Sequence, residues 1–336
     1  PEFYTNETNA RANYYYITGY PTVKVDGMLS PSMSGNGGNE QHAQQAYNQG
    51  LNAYNQRINT TSPYTIDLSF EYVSGTECKV TATVNKVGTC NGNDVRLFVV
   101  LTESHIQYSW QGMPEVNFVT RDMVPNQTGT QLTSDNQTIE ATIDMAGFPR
   151  ENCEIVAWVQ NYSGNKEVYQ AVKLPLSEMT FTDDLVIKSV EEVSLGSCSG
   201  KSSPRVTFKN SGTEALTSVL FNVKTTDEIE VVSSYQWNGN VAAGESMEVV
   251  LPEFDFYGAS NFVIEATQVN GSSDGYPVDN IYNVEVTEPL TIEDGYMFLQ
   301  LRTGEDPENM TIEIKNMDNG EVTHTFAYEE PKKIYE

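Results

Sequence analysis

The chain has 336 residues, enough for two or three domains that each bury a core. Asp and Glu number 46 against 19 Lys and Arg, a formal net charge of −27, and so acidic a surface repels nucleic-acid phosphates and anionic lipid head groups. That balance argues against nucleic-acid binding and against electrostatic docking on a membrane. Its plain consequence is solubility, and its sharper one is that some carboxylate-rich loops bind divalent cations. Apolar runs such as 97–101 and 155–159 are of strand length, far short of the roughly 18 to 20 residues of a membrane span. The N-terminus carries no basic-plus-apolar leader.

In chain order, residues 14–27 read as a turn entering a strand. Tyr14, Tyr15 and Tyr16 precede Gly19-Tyr20-Pro21-Thr22, after which Val23 and Val25 alternate with Lys24 until Asp26-Gly27 turns the chain. A Ser/Gly/Asn-rich loop at 30–38 leads to a helix predicted over 39–58, with Ala43, Ala46, Tyr47, Gly50, Leu51, Tyr54 and Ile58 on one face. A proline loop followed by such a helix resembles the C-terminal half of thioredoxin-like domains. The resemblance implies a cis bond before Pro21 and a peptide-binding edge at Gly19, Tyr20, Pro21 and Thr22. No cysteine pair is present in this stretch, and the expectation is a natural chain that begins upstream of Pro1. The loop tyrosines either stack on a bound peptide or sugar, or pack against Tyr47 and Tyr54.

From Ser62 onward the apolar period changes from 3.6 to 2. Ile66, Leu68, Phe70 and Tyr72 share one strand face; Cys78, Val80, Ala82 and Val84 share a second; 95–102 is a third strand; Cys153, Ile155, Ala157 and Val159 share a fourth face. Short strands parted by Asn/Gly/Ser/Asp turns predict an immunoglobulin-like sandwich over 61–180. In it Cys78 and Cys153 lie on opposite sheets at one end, either bridged by a disulfide or left as two buried thiols. After Asp183-Asp184 the pattern repeats over 181–289, with Val206 and Phe208, then Val219, Phe221 and Val223, then Phe262, Ile264 and Ala266 facing inward. Residues 290–336 read as a strand-rich tail, short for a separate sandwich and open to being a truncated domain.

Chemistry is sparse. The other cysteines, Cys90 and Cys198, form no C-x-x-C with each other or with the first two, which argues against zinc and against dithiol redox work. His42, His105 and His324 fall in three segments, outside any nucleophile-and-base motif. Two acidic loops offer oxygen ligands for calcium: Asn270, Asp274 and Asp279 in one, Glu305, Asp306 and Glu308 in the other. Solvated turns are the competing account of both. Arg121 reads as a structural arginine paired with Asp122 or Glu103.

Several short motifs resemble the outer-membrane-protein-28 family of Gram-negative envelope proteins. They are Gly19-Tyr20-Pro21-Thr22 with Asp26-Gly27, Leu101-Thr102-Glu103 with 119–125, Asn210-Ser211-Gly212-Thr213, Tyr235-Gln236-Trp237-Asn238-Gly239 and 299–303. The fold expected is therefore mainly β with a small α/β part: a partial thioredoxin-like segment over 1–60, two immunoglobulin-like β-sandwiches and the tail. The resemblance implies an exported protein of the bacterial outer membrane, cell surface or periplasm; members are often lipid-anchored, and any such anchor would lie upstream of this chain, which has no residue to carry it over. The function expected is non-enzymatic, with the sandwiches as spacers or interaction modules for protein or glycan and no cofactor unless calcium. Two alternatives stand beside it: a thiol-disulfide oxidoreductase whose C-x-x-C lies upstream, and a calcium-dependent adhesion or glycan-binding module.

Overall fold

A computed structural model describes residues 3–32, 40–110, 112–191, 201–225, 231–255, 261–285, 301–302, 311–316, 319–327 and 334–335. The chain is mainly β with a small α part and divides into two compact units. Unit 1 is Pro1–Thr182 together with Gly275–Asp279; unit 2 is Asp183–Asp274 with Asn280–Glu336.

Unit 1 begins with helix α1 (Asn6–Tyr14), whose N-terminus is closed by reciprocal hydrogen bonds between Thr5 and Thr8. Helix α2 (Glu40–Arg57) follows the proline loop. Ten strands come next: β1 (Tyr64–Ser74), β2 (Glu77–Lys86), β3 (Val95–Glu103), β4 (Ile106–Trp110), β5 (Met113–Val116), β6 (Val119–Val124), β7 (Thr130–Gln131), β8 (Asn136–Asp144), β9 (Cys153–Asn161) and β10 (Val168–Pro175). One sheet has the order β1-β2-β8; the other has β10-β9-β3-β6 with β7 also on β3, and β4-β5 is a separate hairpin. Alternation explains the layers. Ile66, Val80, Ala82 and Ile143 of the first sheet meet Leu97, Leu101, Ile155 and Ala157 of the second in one buried core. Tyr276, from the late segment of unit 1, joins that core and is 1% exposed.

Strand β3 of the second sheet is buried on both faces. Phe98, Val100 and Met123 point outward from the sandwich and form a small cluster with Trp158 and Tyr162. This double burial explains why 95–102 reads as a continuous apolar run rather than an alternating one.

Unit 2 contains β11 (Leu185–Glu191), β12 (Lys201–Ser202), β13 (Arg205–Asn210), β14 (Leu216–Thr225), β15 (Val231–Val241), β16 (Ser246–Val250), β17 (Phe254–Asp255), β18 (Asn261–Val269) and β19 (Ile281–Glu285). Sheets β11-β13-β16 and β15-β14-β18-β19 share a core centred on Phe208, Phe221, Trp237 and Phe262. Asn210 closes the turn after β13: its Nδ2 donates to the Glu214 and Val241 carbonyls at 2.8 and 2.9 Å, and its Oδ1 accepts from Gly212 N at 2.9 Å. Within 290–336 the described strands are β20 (Leu301–Arg302), β21 (Thr311–Lys315), β22 (Val322–Ala327) and β23 (Ile334–Tyr335), paired β20-β23 and β21-β22.

Three sequence expectations need correction. Residues 1–60 are no separate unit but part of unit 1, and Gly275–Asp279 leaves the predicted 181–289 segment to join it. Residues 22–24 form no regular strand; a single bridge joins Val25 and Leu29. The α2 face carrying Tyr47, Tyr54 and Ile58 points to solvent, these residues being 60%, 52% and 53% exposed. The helix instead turns inward the face carrying buried Ala53 and, four residues on, Arg57, whose guanidinium bonds Asp26 and Glu167. Of the two alternatives for Cys78 and Cys153, which lie on opposite sheets, the structure has the two buried free thiols. Each ends at its own neighbours, Cys78 against Tyr276 and Cys153 beside Glu103 and Arg121.

Candidate functional site

The outer face of the second sheet of unit 1 is only partly roofed. Helix α1 crosses it and sets Arg11 at the centre of an aromatic cage. The guanidinium carbon lies 4.6 Å from the Tyr14 ring centre, 4.7 Å from Phe98, 5.1 Å from Tyr15 and 5.5 Å from Trp158. Arg11 Nη2 donates to Gln160 Oε1 at 2.9 Å and to the Tyr15 hydroxyl at 3.3 Å. Tyr14 stacks on Tyr162 at 4.9 Å and donates its hydroxyl proton to the Tyr162 carbonyl at 2.7 Å, which fastens the end of α1 to the end of β9. Burial raises the Tyr14 phenol and lowers the Arg11 guanidinium, which stays charged all the same.

The proline loop is docked beside this cage. Met28 N donates to the Val25 carbonyl at 3.1 Å across Asp26 and Gly27, whose φ angles of 48° and 72° are those a tight Asp-Gly hairpin turn requires. Val168 N donates to the Asp26 carbonyl at 2.9 Å, and Gln160 Nε2 donates to the Tyr15 hydroxyl and the Lys166 carbonyl at 2.6 and 2.7 Å. Arg57 ties Asp26 Oδ2 at 2.9 Å and Glu167 Oε1 at 2.6 Å. The Tyr20–Pro21 peptide is cis, Thr22 Oγ1 donates to the Gly19 carbonyl at 2.6 Å, and Tyr20 is 82% exposed.

Between α1, this loop and the β4-β5 hairpin lies a groove of about 1120 Å³. Its floor is the sheet: Val100 and Thr102 of β3, Val119 and Met123 of β6, Val156 and Trp158 of β9, Ala171 of β10. Its walls carry Ala12, Tyr15, Tyr20 and Lys24 on one side and Tyr108, Trp110 and Val116 on the other. Large, apolar and rimmed by exposed aromatics, it has the composition of a surface that binds another molecule.

No protein-family model matches the chain, and no curated protein matches it. Among solved structures it is similar to HBP35 of Porphyromonas gingivalis. That likeness covers 84% of this chain and 80% of the other at 13% identity, with a TM-score of 0.43. A domain of the outer membrane lipoprotein Omp28 from Porphyromonas gingivalis is similar over 34% of this chain and 88% of its own, at 22% identity and a TM-score of 0.26. Red sea bream transglutaminase is similar over 77% of this chain but 37% of its own, at 13% identity and a TM-score of 0.27. At such identities and TM-scores none of them assigns a family or an activity here.

Of the residues singled out in the sequence, Tyr15 and Tyr20 line the groove, whereas Tyr16 is exposed outside its lining. Gly19, Pro21 and Thr22 belong to the same exposed loop. The first calcium candidate is not assembled as a cation site. Asn270 Oδ1 accepts from Thr217 N, Thr217 Oγ1 and Ser218 N at 2.7, 2.9 and 3.3 Å, while its Nδ2 donates to Asp183 Oδ1 and the Ala215 carbonyl at 2.6 and 3.0 Å. Its amide is thus spent on joining backbone segments. Asp274 Oδ2 accepts from Leu185 N at 2.7 Å, and Asp279 belongs to unit 1. Glu305, Asp306 and Glu308, like Cys198, lie outside the described residues. Among the described residues no three His, Cys, Asp or Glu side chains gather as a metal site. His42 is on α2, His105 follows β3 with Nδ1 3.4 Å from Glu115, and His324 stacks on Phe326 in β22. Arg121 pairs with Glu103, Nε to Oε2 at 2.7 Å, and not with Asp122.

Arg11, Trp110, Trp158 and Lys166 escaped the sequence analysis. The signal present was an arginine in an otherwise polar helix just before three tyrosines, which nothing in periodicity marks as an inward face.

Proposed function

We propose that this chain is a non-enzymatic exported protein of the bacterial envelope that engages a partner protein through the groove of unit 1, with unit 2 as a spacer module. The observation that carries this is the groove itself: a volume of about 1120 Å³ with a largely apolar lining, walled by Tyr20, Tyr108 and Trp110, with Trp110 half exposed. The motifs shared with the outer-membrane-protein-28 family support the location, and the formal net charge of −27 suits a surface that stays dispersed and avoids anionic head groups. No helix among the described residues is long and apolar enough to cross a membrane. A protein ligand fits better than a glycan, because the floor is mostly aliphatic, with Val100, Met123, Val156 and Ala171, and the lining has only Asn9 and Asp26 as amide and carboxylate partners for sugar hydroxyls.

The test uses a pool of N-terminally fluorescein-labelled hexapeptides with positions randomised among Val, Leu, Phe and Tyr, read by fluorescence polarisation. Wild type gives a saturable rise, Asn9→Phe at the groove rim abolishes it, and Trp110→Ala weakens it. A flat titration with wild type, or full binding by Asn9→Phe, defeats the proposal.

A further inference from the structure

Three cations converge on one aromatic ring at the edge of the groove. The Tyr15 ring centre lies 5.1 Å from the Arg11 guanidinium carbon and 5.7 Å from Lys24 Nζ, both of groove-lining residues, and 5.7 Å from the Nζ of Lys166, which stands outside the lining and nearer the Tyr14 and Tyr16 rings, at 4.6 and 4.4 Å. In a chain with only 19 Lys and Arg against 46 acidic residues, such a cluster is costly to assemble and would ordinarily be neutralised by carboxylates. It is not: among the described residues none of the three forms an ion pair. Lys24 Nζ donates to Ser30 Oγ and Lys166 Nζ to the Tyr14 carbonyl, both at 2.5 Å, and Arg11 bonds Gln160 and Tyr15. The carboxylates of this region are held elsewhere, Asp26 and Glu167 by Arg57 and Asp94 by Arg96. Burial lowers the Lys166 ammonium, and the charges of Lys24 and Arg11 lower it further, so the cluster repels itself.

Two polar atoms of groove residues lack a hydrogen-bond partner among the described residues. They are Arg11 Nη1 and Thr102 Oγ1, both shielded, with Thr102 only 9% exposed. Buried donors of this kind are normally satisfied, and both belong to residues that line the groove. The cations also sit at one end. Lys166 lies in the loop between β9 and β10 at one side of the sheet, whereas Trp110 stands on the hairpin between β3 and β6 at the other. An apolar trough with positive charge confined to one end matches an apolar segment whose own negative charge is confined to one end.

Resting on the proposed groove function, we infer that the cluster of Arg11, Lys24 and Lys166 receives the C-terminal carboxylate of an apolar peptide segment that lies along the groove. The carboxylate replaces the missing counter-charge and accepts charge-assisted hydrogen bonds, while the preceding side chains cover the aliphatic floor.

The hexapeptide pool described above separates this inference from the reading it rests on. It is synthesised as free acids, as C-terminal amides, and as amides with Glu at the last position. The free acids bind about tenfold more tightly than the amides, corresponding to about 1.4 kcal/mol. Lys24→Gln and Lys166→Met each weaken the binding of free acids more than that of amides. Equal binding of acids and amides overturns the carboxylate assignment and leaves the groove as a binding site. Glu-bearing amides that match the free acids overturn the assignment to a terminus. A Lys24→Gln protein that loses acids and amides equally overturns it too, since a purely structural lysine would act that way. Absence of binding by every pool overturns both readings.

Discussion

Gly27→Ala tests how the proline loop is seated on the sandwich. Gly27 has φ +72°, and a Cβ added there would stand 2.0 Å from the Lys166 carbonyl oxygen, 3.0 Å from Gln160 Nε2 and 3.1 Å from the Tyr15 hydroxyl. Gly75, in the hairpin joining β1 and β2, is the matched control: its φ is +58° and an added Cβ meets nothing within 4 Å. Alanine pays about 1–2 kcal/mol for the left-handed conformation at either site. Only at Gly27 is there overpacking as well, worth about 1–3 kcal/mol. Because the obstructing atom is backbone, relief comes when the 25–29 turn lifts from the loop between β9 and β10. That movement breaks the hydrogen bond from Val168 N to the Asp26 carbonyl and loosens the ion pair of Asp26 with Arg57. The expected losses are about 1–2 kcal/mol for Gly75→Ala and about 2–5 kcal/mol for Gly27→Ala. Urea titration reads the totals, and amide hydrogen exchange over residues 164–172 reads the local opening, with Val168 exchanging faster only in Gly27→Ala. Equal destabilisation by the two substitutions, with the Val168 amide still protected, refutes the docked arrangement.

Arg121→Met leaves Glu103, 6% exposed, as an unpaired buried carboxylate and costs about 3–5 kcal/mol in urea titration, whereas Arg121→Met with Glu103→Leu recovers most of it. Burial pushes the thiols of Cys78 and Cys153 up to about 11 and about 12, so both resist iodoacetamide at pH 8 in the folded protein and react once it is unfolded, which peptide mapping reads. These raised values stabilise unit 1 fully below the ordinary thiol pKa of about 8.5, and that contribution is lost as pH rises from there toward 11 and 12. A double Cys78→Ala, Cys153→Ala protein therefore shows a flatter decline in stability over that range. Asn270→Ala removes five hydrogen bonds and places alanine at φ 51°, lowering stability by about 2–4 kcal/mol, while millimolar calcium leaves the wild-type melting temperature unchanged. A calcium-dependent rise that Asn270→Ala abolishes would restore Asn270 as a ligand.

The β architecture was legible where one face of a strand is buried. Ile66, Phe70, Val80, Ala82, Ile155 and Ala157 alternate in sequence and share one core in the structure. Periodicity did not say whether a face has anything to pack against, which is why Tyr47, Tyr54 and Ile58 look internal by spacing and are exposed in fact. Helix α1 was invisible because its residues are mostly polar and its stability rests on capping and on Arg11, not on an apolar stripe. The groove was illegible for a different reason. It exists only where residues near 11, 24, 110, 158 and 168 are brought together by long-range contacts, among them the pairing of β9 with β3 and β10, and such pairing leaves no local mark.

Tyr276 gives unit 1 a temporal order. The tyrosine sits among residues of the sandwich with Arg150 4.8 Å from its ring and Phe181 6.4 Å away, yet it belongs to a stretch that leaves the ribosome or an export pore long after β10. During that interval the sandwich has all its strands and a hole where a large aromatic belongs, a deficit of about 3–5 kcal/mol by comparison with aromatic-to-alanine truncations. The first unit therefore reaches its full strength only when most of the second has been delivered. A protein that crosses a membrane before it folds would thus keep its leading half pliable until the trailing half has arrived.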